Sequence, residues 1–103
     1  MEKVYVYKNS YGDYRVHPAV VVLGGGDKVR VVNASGVTLT VTVPAGASKP
    51  GEPVEVEIPA EKHADIKSRS QGSGKTRAYS YKVATKSGKK AHGNSDPILI
   101  IEN

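Results

Sequence analysis

Apolar and polar side chains alternate with a period of two along most of this chain. The clearest run is Leu39–Val43, in which three apolar residues alternate with two threonines. Segments 28–33, 54–58 and 79–83 repeat the pattern with charged residues or serine at polar positions. A two-residue period places one face of an extended strand in a core and the other in water. These four segments are therefore predicted to be strands with one buried face each.

Other segments depart from strict alternation. Residues 4–7, 19–23 and 98–101 are apolar at consecutive positions, which is typical of central strands or of strands covered on both faces. No stretch shows sustained helical periodicity. The best helix candidate is residues 60–70, where Ala, Glu and Lys raise helix propensity after Pro59. We therefore predict an all-β fold with at most one short helix.

Turn-forming residues separate the predicted strands. Residues 24–27 accept positive φ, residues 33–36 are predicted to join two strands as a tight hairpin, and residues 85–90 form another turn. Residues 44–53 are too rich in Gly and Pro for regular structure. This spacing predicts seven or eight short strands in a Greek-key β-sandwich of two antiparallel sheets. The whole chain, residues 1–103, is predicted to form a single domain.

The composition removes several kinds of chemistry. The chain has no Cys, which excludes disulfides, thiolate metal sites and cysteine nucleophiles. It has no Trp or Phe and six Tyr, so tyrosine supplies all of the aromatic surface. Tyr5 or Tyr7 is expected in the core, while Tyr11 and Tyr14 lie in a predicted loop with Arg15. With neighbouring cations, exposed tyrosines are suited to stacking against bases, sugars or a peptide.

The net charge of +5 is unevenly distributed along the chain. Residues 62–90 contain nine Lys and Arg residues and one acid, Asp65. A lysine-rich surface that keeps sheet edges from aggregating is the interpretation we favour. The alternative is a surface that binds nucleic acid or an acidic partner.

The stretch QGSGKT, residues 71–76, resembles the end of a phosphate-binding loop. The full pattern requires an opening glycine at position 69, which is Arg69, and it must open a helix. Here the stretch leads into the strand pattern of residues 79–83. We therefore predict a loop before a strand and no nucleotide site.

The order of strands and turns resembles that of the cupredoxins, the fold of small blue-copper proteins. The resemblance covers roughly Val16 to Glu102 and is carried by HPAVVVLGGGDKVRVVNASGVTLTVTV and GKTRAYSYKVATKSGKKAHGNSDPILIIEN. The C-terminal GNSDPILIIEN is similar to that of small cupredoxin-like proteins without copper ligands. An immunoglobulin-like sandwich has a similar pattern, but this chain lacks the Cys pair and the Trp of that family.

The resemblance implies the fold without the metal site. Blue-copper centres use two His, a Cys thiolate and usually an axial Met. The first His is expected six residues after Asn33, where this chain has Leu39. The loop before the last strand holds His92 but no Cys or Met, and the only Met is Met1. Leu39 therefore predicts apolar packing at this end.

The remaining candidates are few. His17, His63 and His92 have no short ligand spacing, so a His-based metal site depends on the fold bringing them together. The carboxylates show no pairing suited to acid–base catalysis, and no nucleophile elbow is present. We expect no cofactor and no enzymatic activity.

The sequence thus predicts a copper-free, cupredoxin-like binding or structural module. Its candidate partner-binding residues are Tyr11, Tyr14, Arg15, Lys75 and Arg77. The alternatives are binding of nucleic acid or an acidic partner through the basic second half, and His-based metal binding. The partner is expected to be a macromolecule and not a membrane, with the protein a monomer or an edge-paired homodimer. A cytoplasmic location is expected for a full-length sequence, and a periplasmic or secreted one if a signal peptide has been removed.

Overall fold

The computed structural model describes residues 1–91 and 96–102, which form β-strands, turns and loops and no helix. Within these residues there are eleven strands, compared with the seven or eight predicted. They are β1 Glu2–Lys8, β2 Tyr14–His17, β3 Val20–Gly24, β4 Lys28–Ala34, β5 Leu39–Val43, β6 Val54–Ile58, β7 His63–Lys67, β8 Thr76–Ser80, β9 Lys82–Thr85, β10 Lys90–Ala91 and β11 Ile98–Glu102. No helix in the described part of the chain is long and apolar enough to span a membrane.

The strands form three hydrogen-bonded sheets. The first has the order β2-β1-β4-β7, the second β10-β9-β5-β6 and the third β3-β11-β8. Because only Tyr81 separates β8 from β9, the second and third sheets continue into one another and face the first sheet. The β1–β4 and β3–β11 pairs are parallel, so the prediction of purely antiparallel sheets is wrong.

One core of alternating apolar side chains lies between these layers. Val4, Val6, Val29 and Val31 enter it from the first sheet and Leu39 enters it from the second. All three sheets also contribute to the wall of a residual cavity of about 10 Å³. A void of this size is barely the volume of one water probe, so the core is closely packed.

Pairing with a neighbouring strand overrides helix propensity at residues 60–70, where the predicted helix is wrong. This segment forms a turn followed by β7, which pairs antiparallel with β4. Ile66 is buried and Ala64 is half-buried, while their neighbours are exposed. This alternation is the strand signal that the Ala, Glu and Lys content obscured.

The predicted hairpin at residues 33–36 is also wrong, because β4 and β5 belong to different sheets. The connection instead crosses from one layer to the other. By contrast, residues 85–90 form the predicted turn, with the Gly88 N–H donating to the Thr85 carbonyl at 3.0 Å. Residues 44–53 contain no strand, as predicted.

The three segments with consecutive apolar residues, 4–7, 19–23 and 98–101, have different environments. β1 and β11 are central strands, as predicted. β3 is the last strand on its side of the third sheet, and its outward Val20 and Val22 are 49% and 47% exposed. The prediction of a central or doubly covered strand is therefore wrong for β3.

Candidate functional site

The strand registers define two ends of the molecule. Tyr7 on β1 lies beside Ala34 on the parallel strand β4, and Leu39 at the start of β5 lies opposite Thr85 at the end of β9. The Asn33 end is our name for the turns that these strand ends bring together: 9–13, 35–38, 59–62 and 86–89. The Ser68 end is the opposite one, and it contains turn 24–27 and segments 44–53 and 68–75.

Asn33 holds its end together through a buried side-chain network. Its side chain is almost fully buried, and its Nδ2 donates to the carbonyls of Val37 at 2.7 Å, Ile58 at 2.9 Å and Pro59 at 3.1 Å. Its Oδ1 accepts from the Ser35 N–H at 3.0 Å and from the Ser35 Oγ at 2.6 Å. One amide therefore joins the β4–β5 connection to the β6–β7 connection.

Apolar packing occupies the position where the resemblance implies the first copper ligand. Leu39 is 0% exposed and pairs with Ile58 and Thr85 on its two neighbouring strands. The prediction that this end is filled with apolar packing is confirmed. A type-1 copper site is excluded because the chain contains no Cys to supply the thiolate.

The histidines do not converge in the part of the chain that can be described. His17 and His63 lie in one row across the first sheet, with Tyr5 and Val32 between them. Three strand spacings of about 4.8 Å separate their backbones by roughly 14 Å. His92 lies outside the described residues. Among residues 1–91 and 96–102, no group of three or more His, Cys, Asp or Glu is arranged to hold a metal ion.

Tyr14 lies between two clefts at the Asn33 end. The larger, about 480 Å³, is lined by Tyr14, Gly36, Val37, Thr38, Ala60, Thr85, Lys86 and Ser87. The smaller, about 330 Å³, is lined by Asp13, Tyr14, Arg15, Lys89 and Lys90. The Lys8 Nζ lies 5.7 Å from the centroid of the Tyr14 ring. The clefts therefore combine an aromatic wall with four cationic side chains and one acid.

The neighbouring turn presents Tyr11 to solvent. The Oδ1 of Asn9 accepts hydrogen bonds from the N–H groups of Tyr11 at 3.0 Å and Asp13 at 2.9 Å. This Asx-type turn leaves the Tyr11 side chain 88% exposed. Tyr11 thus lies at the same end as Tyr14 and Arg15.

Lys75 and Arg77 lie at the other end. Arg77 pairs with Ile101 on β11, next to the Thr76–Glu102 pair. The stretch 71–76 leads directly into β8, so the predicted loop before a strand is confirmed. The structure thus brings Tyr11, Tyr14 and Arg15 together and separates them from Lys75 and Arg77.

The loop that carries Lys75 and leads to Arg77 on β8 is anchored by a glutamine. The Gln71 Nε2 donates to the carbonyls of Gly46 at 3.0 Å and Arg69 at 2.7 Å, and the Tyr79 hydroxyl donates to the Gln71 Oε1 at 2.5 Å. These contacts give the phosphate-loop-like stretch a structural role at the Ser68 end.

The outer surface of the first sheet carries two tyrosines that the sequence interpretation placed incorrectly. Val4 and Val6 enter the core, so Tyr5 and Tyr7 point outward and are 44% and 39% exposed. The expectation that Tyr5 or Tyr7 fills the core is wrong. Tyr81 is the buried tyrosine, and Tyr14 and Tyr79 pack partly against the core. The sequence shows that valine and tyrosine alternate in β1, but it does not show which of the two faces the core, because both side chains are suited to burial.

Among the described residues, three side chains have a shifted pKa: that of Arg30 is raised by its hydrogen bond to Asp65, and those of Asp65 and Tyr81 are also changed. The Arg30 Nε and Nη2 donate to the Asp65 Oδ1 at 2.8 Å and Oδ2 at 3.2 Å, and this hydrogen bonding lowers the pKa of Asp65 from its ordinary value. Burial raises the pKa of Tyr81 to about 12. Within the described residues, the Tyr81 hydroxyl has no hydrogen-bond partner.

Comparisons with known proteins establish the fold. No protein-family model matches the sequence, and no curated protein matches it significantly. Among solved structures, the reduced Cu(I) form of an amicyanin mutant matches with a TM-score of 0.66 and 15% identity, over 98% of this chain and 81% of that one. An oxidised amicyanin mutant matches with a TM-score of 0.67 and 14% identity over the same shares, 98% and 81%.

A third structure matches over nearly all of both chains. It is a purple cupredoxin from Nitrosopumilus maritimus, with a TM-score of 0.57 and 11% identity over 99% of this chain and 98% of that one. The protein thus has a cupredoxin-like β-sandwich fold, and it lacks the Cys of a type-1 copper centre. The cupredoxin-like fold predicted from the strand order is confirmed.

Proposed function

We propose that this protein is a non-enzymatic binding module that holds an acidic segment of a partner protein at its Asn33 end. The observation that supports this function is the pair of clefts that share Tyr14. Their walls carry Arg15, Lys86, Lys89 and Lys90 against a single acid, Asp13. A rigid sandwich that presents variable loops is a common platform for recognition.

The cleft chemistry favours an extended acidic peptide over a compact ligand. The clefts meet at Tyr14, so a chain lying across the ring contacts Lys86 in the larger cleft and the cations of the smaller one, Arg15, Lys89 and Lys90. Val37 and Ala60 provide apolar contact in the larger cleft, and the hydroxyls of Thr38 and Ser87 provide polar contact. Carboxylates of the peptide would pair with the lysines at the cleft rims, where the attraction is screened by salt.

The test compares two double variants with the same change in charge. Lys89→Ser with Lys90→Ser removes two cations at the Asn33 end, and Lys75→Ser with Arg77→Ser removes two at the Ser68 end. The probe is a fluorescein-labelled glutamate-rich peptide followed by anisotropy. We expect the first variant to lose about tenfold in affinity, from two surface charge contacts, and the second to bind like the unsubstituted protein.

Equal losses in both variants would show that net charge alone attracts the peptide. Unchanged binding in both variants, or no binding by the unsubstituted protein at low salt, would likewise contradict the proposed site. Melting curves of both variants check that the fold is retained.

A further inference from the structure

A second surface, on the outer side of the first sheet, has a chemistry that the Asn33 end does not share. The tyrosine face is our name for the outward side chains of β1, β2, β4 and β7. Tyr5 lies near the middle of β1 on this face, and Tyr7 lies at its edge next to the Asn33 end. We propose that the tyrosine face binds single-stranded nucleic acid by stacking bases on Tyr5 and Tyr7.

The spacing of the two rings is the first support for this proposal. Tyr5 and Tyr7 are two residues apart on β1 and point to the same side. A strand rises by 3.2–3.4 Å per residue, so their backbones are separated by about 7 Å. An extended single strand is able to place successive bases on two platforms at this distance. Stacking of this kind tolerates any base, because every base has a π-face.

The side chains next to the rings leave them accessible. Across the sheet, Tyr7 lies between Arg15 on β2 and Ala34 on β4, and Tyr5 lies between His17 and Val32. The β4 side is therefore occupied by small or medium aliphatic residues, with cationic or imidazole side chains on the β2 side. This arrangement offers planar stacking partners and phosphate-binding groups next to one another.

The charge of the face is the second support. The outward positions of the four strands carry five cations and one acid: Lys3, Arg15, Lys28, Arg30 and Lys67 against Asp65. The acid is already paired with Arg30 at 2.8 Å. A face with this excess of positive charge attracts the phosphate backbone, and binding is favoured because it releases the counterions around the phosphates.

The cationic surface thus differs from the one predicted for residues 62–90. Of the nine basic residues in that segment, only Lys67 belongs to the tyrosine face. The face instead combines cations from four strands that together extend from Lys3 to Lys67 in the sequence.

Single strands fit this face better than the other polyanions or ring-containing ligands. In a duplex the base faces are stacked on one another and are not available to Tyr5 and Tyr7. Neutral polysaccharides stack on aromatic rings but gain nothing from the surrounding cations. An acidic peptide satisfies the cations but offers no regular series of planar groups to the rings.

The experiment measures anisotropy of fluorescein-labelled oligo-dT and oligo-U, with a duplex of equal length as the comparison. The test variant is Tyr5→Thr with Tyr7→Thr, which keeps β-propensity and removes both rings. Two stacked bases predict a loss of roughly 30-fold in affinity or more. Tyr5→Phe with Tyr7→Phe keeps the rings and is expected to bind within about twofold of the unsubstituted protein, since stacking needs only the π-face.

A matched control is the single variant Tyr11→Thr, because Tyr11 is the most exposed tyrosine and lies outside the tyrosine face. It is expected to leave oligonucleotide affinity unchanged. A second control is the variant with Lys89→Ser and Lys90→Ser, because both lysines line the smaller cleft at the Asn33 end. Arg15 is left intact throughout, because it belongs to both surfaces.

Several outcomes would overturn the proposal. These are absence of oligonucleotide binding at low salt, equal affinity for the duplex, and affinity that depends on Lys89 and Lys90 but not on Tyr5 and Tyr7. Salt-independent binding of a neutral oligosaccharide that requires both tyrosines would assign the face to carbohydrate instead. Because peptide and oligonucleotide binding are tested with separate variants, failure at one surface does not imply failure at the other.

Discussion

At the Asn33 end a single buried amide binds three carbonyls from two chain connections, whereas at the Ser68 end a single hydroxyl holds one tight turn. Ser68 Oγ contacts the carbonyls of Gly24 at 3.0 Å and Asp27 at 2.8 Å and accepts from the Gly26 N–H at 3.1 Å. Asn33 therefore links distant segments of the Asn33 end, while Ser68 fixes turn 24–27 against the end of β7.

The clefts at the two ends also differ in charge. The Ser68-end cleft, about 450 Å³, is lined by Met1, Glu2, Leu23, Gly26, Asp27 and Lys28, with two acids and one lysine. The Asn33-end clefts together have four cations and one acid. The concentration of cations around Tyr14 is thus a local property and not a simple consequence of the net charge of +5.

The largest expected effect that separates the two ends is the loss of the Asn33 side chain. Asn33→Ala leaves the carbonyls of Val37, Ile58 and Pro59 without this donor. We expect a loss of about 3–5 kcal/mol in the free energy of unfolding, because the substitution removes all five hydrogen bonds of a buried amide, each contributing about 0.5–1.5 kcal/mol. The Val37 and Pro59 carbonyls keep second donors, the Ser35 Oγ and the Lys62 N–H, both at 3.2 Å. Urea denaturation followed by circular dichroism measures this change.

The control for this prediction is Ser35→Ala, which removes a hydroxyl bonded to Asn33 but leaves the three carbonyl contacts in place. It is expected to cost only about 1 kcal/mol. If Asn33→Ala cost no more than Ser35→Ala, Asn33 would not be the anchor of its end.

The next largest effect concerns Tyr81, which lies between the ends and should affect both equally. Its pKa is raised to about 12, compared with 10.0 for an exposed tyrosine. The unfolded state therefore loses the phenol proton first, and stability should fall as the pH rises from about 10 to about 12. Two pKa units correspond to about 2–3 kcal/mol, with the full contribution present below pH 10.

Tyr81→Phe provides the matched control, because it removes the titrating group and keeps the ring. Its stability in neutral solution is expected to equal or exceed that of the unsubstituted protein, since the hydroxyl has no partner among the described residues. The difference in stability between the two proteins, measured by urea denaturation against pH, isolates Tyr81 from the lysines. A difference that stays constant from neutral pH to pH 12 would contradict the raised pKa.

The smallest effect is expected at the Ser68 end. Ser68→Ala removes the hydroxyl that bridges Gly24, Gly26 and Asp27. We expect a loss of about 1–2 kcal/mol, because one hydroxyl network is smaller than the amide network of Asn33. Hydrogen exchange should show the loss of protection at Gly26 and not at Ser35, and uniform loss at both amides would contradict separate anchors.

The sequence allowed the fold to be predicted where side-chain type alone marks the buried face. In Leu39–Val43 the alternating threonines leave no doubt about which face is buried, and the structure buries all three apolar residues. In Glu2–Lys8 both valine and tyrosine are suited to a core, so the same alternation did not show which face is buried. The prediction that Tyr5 or Tyr7 lies in the core was therefore wrong. Helix propensity at residues 60–70 was misleading because the pairing partner, β4, is distant in sequence.

The candidate binding residues show the same limit. Tyr11, Tyr14 and Arg15 are neighbours in sequence, and the structure keeps them at one end. Lys75 and Arg77 were predicted to be partner-binding residues as well, but the register of β8 against β11 places them at the other end. The positions of charged residues along the sequence therefore did not predict which of them share a surface.

By itself, the sequence determined that extended strands would dominate, that no thiolate would bind a metal, and that an aliphatic side chain would fill position 39. Those results follow from local periodicity and from residue chemistry, which need no knowledge of neighbours. Only the tertiary structure decided that Tyr5 and Tyr7 point to solvent, and that cations from four separate strands share the face on which they lie. The physical reason is that strand pairing joins residues far apart in the chain, and the register of each pair sets which side chains share a face.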